Sequence, residues 1–191
     1  VGKKPLYYGQ DADRICFAVG ADPTPLASVL ERARIAARAA GRDPNTLRYG
    51  AFVNCVIHDD VTVARDALRG SVATFARFSS MRGSPLEQLP PALRAAAEYL
   101  ATNYDMRNHT RAGVAHTAGI GDDFVDWFGL SGPVTRVLPR FVALAQLGLD
   151  FVHVIPGSTG MPREVAVGSL LALGQGLLPA LRGALGSQAS E

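Results

Sequence analysis

Apolar positions along this chain come in two rhythms. Short runs in which nearly every residue is apolar read as β-strands: residues 14–20 (RICFAVG), 47–57 (LRYGAFVNCVI) and 151–155 (FVHVI). A further short apolar strand is expected from Phe124 onward, ending at the Ser131-Gly132-Pro133 turn. Between these runs the apolar residues recur every three or four positions, the spacing of a helix with one buried face. Leu26, Leu30, Ala33, Ala37 and Ala40 form one such stripe, opened by Thr24-Pro25 and closed by Gly41. Val61, Ala64, Leu68, Val72 and Phe75 form a second, capped by Asp59 or Asp60. Leu93, Ala97, Leu100 and Tyr104 form a third, opened by Pro91 after a polar break over 81–91. A helix follows Pro133, with Pro139 inside it, and a last helix runs from Pro162 toward Leu185, weakened at Gly174 and Gly176. Residues 105–123 show no regular period.

The order is strand–helix, strand–helix–helix, strand–helix, strand–helix. That alternation predicts an α/β fold with about four parallel strands, each followed by a helix, and a helical insertion after the second strand. Strands apolar on both faces fit a parallel sheet covered on both sides. A closed eight-stranded barrel needs about 250 residues, so four strands are too few to close one. One domain over 1–185 and a frayed tail over 186–191 are expected.

Composition narrows the function. The 191 residues carry a formal net charge of +2. No basic run interleaved with aromatics points to nucleic acid. No apolar run of about twenty residues predicts a membrane span, and no signal peptide is evident. Cys16 and Cys55 each lie in an apolar strand with no metal-ligand spacing, so both are expected as buried reduced thiols in a cytoplasmic protein. No metal site is expected. The chain opens at Val1-Gly2-Lys3-Lys4 in mid-pattern, which reads as a partial chain.

Several residues carry candidate chemistry. In parallel sheets, chemistry collects in the loops after the strands. Gly20-Ala21-Asp22 follows a strand and precedes a helix N-terminus, where backbone N–H groups can hold an anion. The alternative is a plain turn with Asp22 or Thr24 as a cap. Ser131 and Ser158 sit in similar loops and either bind phosphate or a substrate oxygen, or cap the following helices. Asn54 interrupts an apolar strand, and a buried amide needs partners. It contacts a cofactor or substrate, or it bonds a neighbouring loop. His109 and His116, in NHTRAGVAHTAG, are weak acid–base candidates. Arg107 and Arg111 beside them can bind phosphate or carboxylate, unless the segment is simply a solvated loop. His58, His153, Trp127 and Phe128 read as core or rim residues.

Asp13-Arg14, the run from Ala18 through Pro23, Ala40-Gly41-Arg42-Asp43-Pro44 followed by Tyr49-Gly50-Ala51-Phe52-Val53-Asn54, residues 128–133, Leu147-Gly148-Leu149-Asp150 and Leu178-Pro179-Ala180-Leu181-Arg182 occur in that order. Together they resemble the C-terminal half of a luciferase-like monooxygenase. The resemblance implies a partial TIM (β/α)8 barrel, its four strands being the last four of eight, with residues 1–11 left from the preceding helix. It implies a flavin- or deazaflavin-dependent oxidoreductase acting on a small organic substrate, with FMN or the deazaflavin coenzyme as cofactor. It implies that Gly20, Ala21 and Asp22 lie against that cofactor, for which Asn54 is a further candidate. It also implies that the principal catalytic residues belong to the absent half. The alternative is a noncatalytic half barrel that self-associates, as a homo-oligomer, or pairs with a missing N-terminal half through its open edges.

Overall fold

The computed structural model describes residues 7–8, 14–18, 23–79 and 89–188. Five strands form one sheet: β1 (Tyr7–Tyr8), β2 (Arg14–Ala18), β3 (Arg48–Ile57), β4 (Gly129–Gly132) and β5 (Phe151–Ile155). β2 to β5 are parallel, as the alternation requires, and β1 is antiparallel to β2. Residues 1–11 were expected as the end of a helix; Tyr7–Tyr8 is instead a strand paired with Ile15 and Cys16.

β3 is the centre of the sheet, and its register fixes the order. Gly50, Ala51 and Phe52 pair with both β2 and β5, while Asn54 pairs with both β4 and β5. A strand has two edges, so β2 and β4 share one edge of β3 and β5 takes the other. Successive strands of a closed barrel would each neighbour the next, whereas β5 returns to β3. The local cause is Asp150, whose carboxylate accepts the Tyr49 N–H at 2.6 Å while its own N–H donates to the Tyr49 carbonyl at 2.8 Å. This clamp sets β5 against β3 one residue before the ladder starts.

The right-handed crossover rule then decides where the helices lie. The steps from β2 to β3 and from β4 to β5 run in one direction across the sheet. Their helices, α1 (Pro23–Ala39) and α5 (Val134–Ala145), cover one face. The step from β3 to β4 runs back, so α2 (Val61–Ser79), α3 (Pro91–Asn103) and α4 (Asp122–Phe128) cover the other. Alternate residues of β3 feed the two cores. Tyr49, Ala51, Val53, Cys55 and Ile57 pack with Leu26, Leu30, Phe141 and Leu144. Val56 packs with Ala64, Leu68, Val72, Phe124 and Val125.

α1 ends as its sequence demands. Gly41 has φ +72°, and Arg42 N–H and Gly41 N–H donate to the Ala37 and Arg38 carbonyls. These are the paired bonds of a Schellman cap. The expected strand from Phe124 is corrected: 122–128 is helix, and the strand is only Gly129–Gly132. Two acidic residues open α4, where the helix dipole favours them. Phe124, Val125 and Phe128 then fall on one helical face against α2, and only the short run after Gly129 is left to pair with β3. Cys55 is 1% exposed, and burial pushes its thiol up to about 12. The side chain of Cys16 lies outside the described residues.

The last helix is continuous from α6 (Arg163–Ala172) through a π-helical segment (Leu173–Leu177) to α7 (Leu178–Gln188). The wide turn falls on Gly174 and Gly176, the positions where weakening was expected. Residues 163–186 are long and apolar enough, by length and composition alone, to cross a membrane, with a mean hydropathy of 1.4 over the most apolar 18-residue stretch. The expectation that no such run exists is therefore corrected. Its inner face packs on the sheet through Val165, Ser169, Leu173 and Leu177.

Candidate functional site

Asn54 is 2% exposed, and its Oδ1 has no hydrogen-bond partner. An orphaned buried carbonyl is costly, and native structures carry few of them. By the alternation of a strand, Asn54 shares its face with Gly50 and Phe52. The matching face of β5 carries Phe151 and His153. Phe52 stacks on His153 with ring centroids 5.1 Å apart, and Phe151 lies edge-on to His153 at 5.5 Å. A side chain at Gly50 would collide with the Phe151 ring. The sequence therefore places an aromatic cluster, two rings stacked and one edge-on, on the strand face that carries a buried, unsatisfied acceptor. Asn54 was legible in the sequence; Phe52 and His153 become a pair only through the register of β3 and β5.

Ser131, 3% exposed, ends β4 with its hydroxyl donating to Asp126 Oδ1 at 2.8 Å. Asp126 holds Arg65 through two bonds, Nε at 3.2 Å and Nη2 at 2.6 Å, and Arg136 at 2.9 Å. Arg140 donates to the Asp126 backbone carbonyl at 2.6 Å. Burial would raise the Asp126 carboxyl, but the hydrogen bonds from Arg65 and Ser131 and the charges of Arg65 and Arg136 outweigh it. They hold the carboxyl below its ordinary range. Ser131 is thus engaged with a carboxylate. Asp126 was missed in the sequence because its arginine partners come from two helices far apart in the chain, Arg65 on α2 and Arg136 and Arg140 on α5.

The irregular segment and the loop after β5 meet on α2. Thr159 N–H donates to the Thr110 carbonyl at 2.9 Å, Ala112 N–H donates to the Thr159 carbonyl at 2.9 Å, and the two threonine hydroxyls bond at 3.1 Å. Arg111 forms a bridge with Thr159. Ser158, 3% exposed, donates its N–H to the Ala67 carbonyl at 2.8 Å and accepts the Ser71 N–H on its Oγ at 3.0 Å. It therefore spans one full turn of the α2 ladder, fixing the loop to the helix rather than capping α6. Thr110 has φ +62°, an uncommon state for a β-branched residue.

Both histidines belong to this junction. His109 is exposed, and its Nδ1 lies 2.7 Å from the Tyr104 hydroxyl. That hydroxyl lies 2.8 Å from Thr74 Oγ1, which donates to the Gly70 carbonyl at 3.0 Å. Burial raises the Tyr104 phenol above its ordinary value against the opposing bond to Thr74. His116 is 2% exposed, its ring centroid 4.5 Å from that of Tyr104. The Asp105 N–H donates to His116 Nδ1 at 3.4 Å, so the neutral ring carries its proton on Nε2, which has no partner. Desolvation lowers its pKa, opposed by the Asp105 charge. Tyr104 joins the two histidines, a role invisible in the sequence because it closes the apolar stripe of α3.

Arg107 and Arg111 are exposed at the rim of this junction. Asp105, whose carboxyl is lowered by the Arg107 N–H and the Asn108 amide, anchors the turn that carries Arg107. A cleft of about 480 Å³ opens alongside, lined by Val63, Ala67, Met161 and Val165 with Asp66 and Arg69. That size suits a small organic molecule. Gly20, Ala21 and Asp22 lie outside the described residues. Among the described residues no cluster of His, Cys, Asp or Glu is arranged to hold a metal.

The structure thus gathers His109, His116, Arg111 and Ser158 around α2. It leaves Ser131 with Asp126, and Asn54 with the aromatic cluster. Comparison with known structures supports the architecture. A coenzyme F420-dependent tetrahydromethanopterin reductase from Methanopyrus kandleri is similar at a TM-score of 0.57 and 21% identity, over 87% of this chain and 45% of that one. An F420-dependent secondary alcohol dehydrogenase is similar at 0.54 and 14% identity, over 89% of this chain and 43% of that one. The chain therefore spans less than half the length of these structures. No curated protein sequence matches it. The family model for luciferase-like monooxygenases matches residues 7–150, three-quarters of the chain, and the protein therefore belongs to that family.

Proposed function

We propose that this protein serves a flavin-type oxidoreductase, binding FMN or the deazaflavin coenzyme and acting on a small organic substrate. The observation that carries this reading is the family match over residues 7–150. The similar structures include enzymes that use coenzyme F420, which is in keeping with a deazaflavin.

The residues present fit such a cofactor. The orphaned Asn54 Oδ1 offers an acceptor to a ring N–H, and the stacked Phe52–His153 pair offers an aromatic contact. Gly20, Ala21 and Asp22 are assigned to the cofactor on the family resemblance. Arg107, Arg111 and Ser158 are assigned to the substrate side; Arg111 precedes Ala112 and Ser158 bonds Ala67, both of which line the cleft. The bound group supplies the redox step: oxygenation with FMN, hydride transfer with the deazaflavin. The chain's own part is to seat the ring, keep water from it and hold protons. His109 and Tyr104, 2.7 Å apart, can pass a proton between solvent and the buried junction, because His109 is exposed and Tyr104 reaches inward to Thr74. Cytoplasmic residence fits a buried unpaired Cys55.

A second reading, a noncatalytic half that needs a partner half, is in keeping with matches that cover less than half of each similar structure. Fluorescence titration with FMN and, separately, the deazaflavin separates the two. Saturable binding to one, lost in Asn54→Leu, supports the first reading and names the cofactor. No binding to either supports the second.

A further inference from the structure

The face of β3 that carries Asn54 and Phe52 runs on through Gly50 to Arg48, by the alternation of a strand. Arg48 is exposed, and its guanidinium carbon lies 5.6 Å from the centroid of the Phe151 ring. Phe151 in turn lies directly against Gly50, where no Cβ could be accommodated. The array is continuous: a cation over a ring, that ring edge-on to the His153 imidazole at 5.5 Å, and the imidazole stacked on Phe52 at 5.1 Å. It opens to solvent, with His153 exposed and Phe52 and Phe151 half-buried.

The same end of the sheet gathers positive charge. The β2–β3 register sets Arg14 directly opposite Arg48. Like charges facing each other across a strand pair repel. Among the described residues no carboxylate forms an ion pair with Arg48. Asp150, which stands where β5 meets this end, gives its carboxylate to the Tyr49 N–H.

We propose that Arg48, with Arg14 opposite it, binds the phosphoryl group of the cofactor whose ring lies against the Phe52–His153 pair. The inference rests on the flavin-type reading, because FMN and the deazaflavin coenzyme both carry a phosphoryl group on a ribityl chain. Guanidinium forks bond phosphate oxygens two at a time. An anion between the two arginines turns their repulsion into attraction. Arg48 and Phe52 stand four residues apart on β3, about 13 Å at the rise of a strand. The ribityl chain and the reach of the arginine side chain together close that gap, with Phe151 as an apolar floor between. A single-stranded nucleic acid would call for cations along a whole groove, whereas here one pair marks one end of an aromatic array.

The test is fluorescence titration of the chain as it stands with FMN and with riboflavin, which differ only in the phosphoryl group. The deazaflavin coenzyme and its phosphate-free form make the same comparison. Circular dichroism confirms that each variant folds. The phosphorylated form should bind about tenfold or more tightly, and the advantage should shrink as salt is added. Arg48→Ala and Arg14→Ala should each weaken that form about tenfold and leave the phosphate-free form unchanged, with Arg48→Lys recovering part of the loss. Equal affinity for the two forms overturns the inference and leaves the flavin-type reading standing. So does a loss in Arg48→Ala that falls equally on both forms, which would make Arg48 only a cover for Phe151. AMP binding as tightly as FMN overturns it in favour of a general nucleotide site. Binding of neither form takes the flavin-type reading down and this inference with it.

Discussion

Among the described residues two buried side-chain polar atoms lack partners, Asn54 Oδ1 and His116 Nε2, and they lead to opposite expectations. Asn54 sits on β3 between the apolar Val53 and Cys55. If its acceptor serves a ligand, Asn54→Leu should leave the unliganded chain unchanged or up to about 1 kcal/mol more stable, because it removes a desolvated carbonyl. Cofactor affinity should fall. A structural amide would instead cost about 1–3 kcal/mol on removal, and urea unfolding distinguishes the two outcomes. His116 is held neutral by burial, so its folded pKa lies below the ordinary 6.5. The unfolded chain then binds a proton that the folded chain does not. Stability from this group is complete above pH 6.5 and declines as pH falls below it toward the folded value. Urea midpoints at pH 7.5 and 5.5 should differ for the native chain, and His116→Phe should narrow that difference. Asp126 also loses stability toward acid, but below the ordinary carboxylate value of 3.8, outside this window.

At the scale of elements, the decisive feature is how closely the 110–112 loop rides on α2. A Cβ at Gly70 would strike the Arg111 carbonyl. In an ordinary helix, Gly→Ala stabilises by about 0.4–1 kcal/mol. Here Gly70→Ala should destabilise, by about 1–3 kcal/mol as overpacking does, and should shift the Thr110–Thr159 contact. Thermal unfolding reads the sign directly. The helices themselves were legible: the stripes at Leu26, Leu30 and Ala37 and at Leu93, Ala97 and Leu100 are buried as their spacing required. Residues 124–128 were not, because a short apolar run fits a strand or a single helical face equally well. Packing against α2 settled the matter.

For the whole molecule, the main result is a sheet covered on both faces around one central strand. Four parallel strands cannot close a barrel, and the Asp150 clamp gives β5 the free edge of β3. The last helix then packs on the sheet through Val165, Ser169 and Leu177 and leaves Val167, Leu170 and Leu171 exposed. The family match and the fold likeness agree with the sequence resemblance, and the chain's reach of less than half its structural neighbours agrees with a partial barrel.

The sequence by itself determined the α/β class, the helix faces, the buried cysteine at position 55, the buried amide at position 54 and the resemblance to the family. Each of these is local, set by period, by turn chemistry or by one residue out of keeping with its strand. Tertiary structure alone decided that β5 pairs with β3, that Tyr104 joins His109 to His116, that Ser158 spans a turn of α2 and that Asp126 gathers three arginines. Those depend on contacts between residues as many as about a hundred positions apart, and chain spacing carries no record of which distant groups the folded backbone will bring within bonding distance.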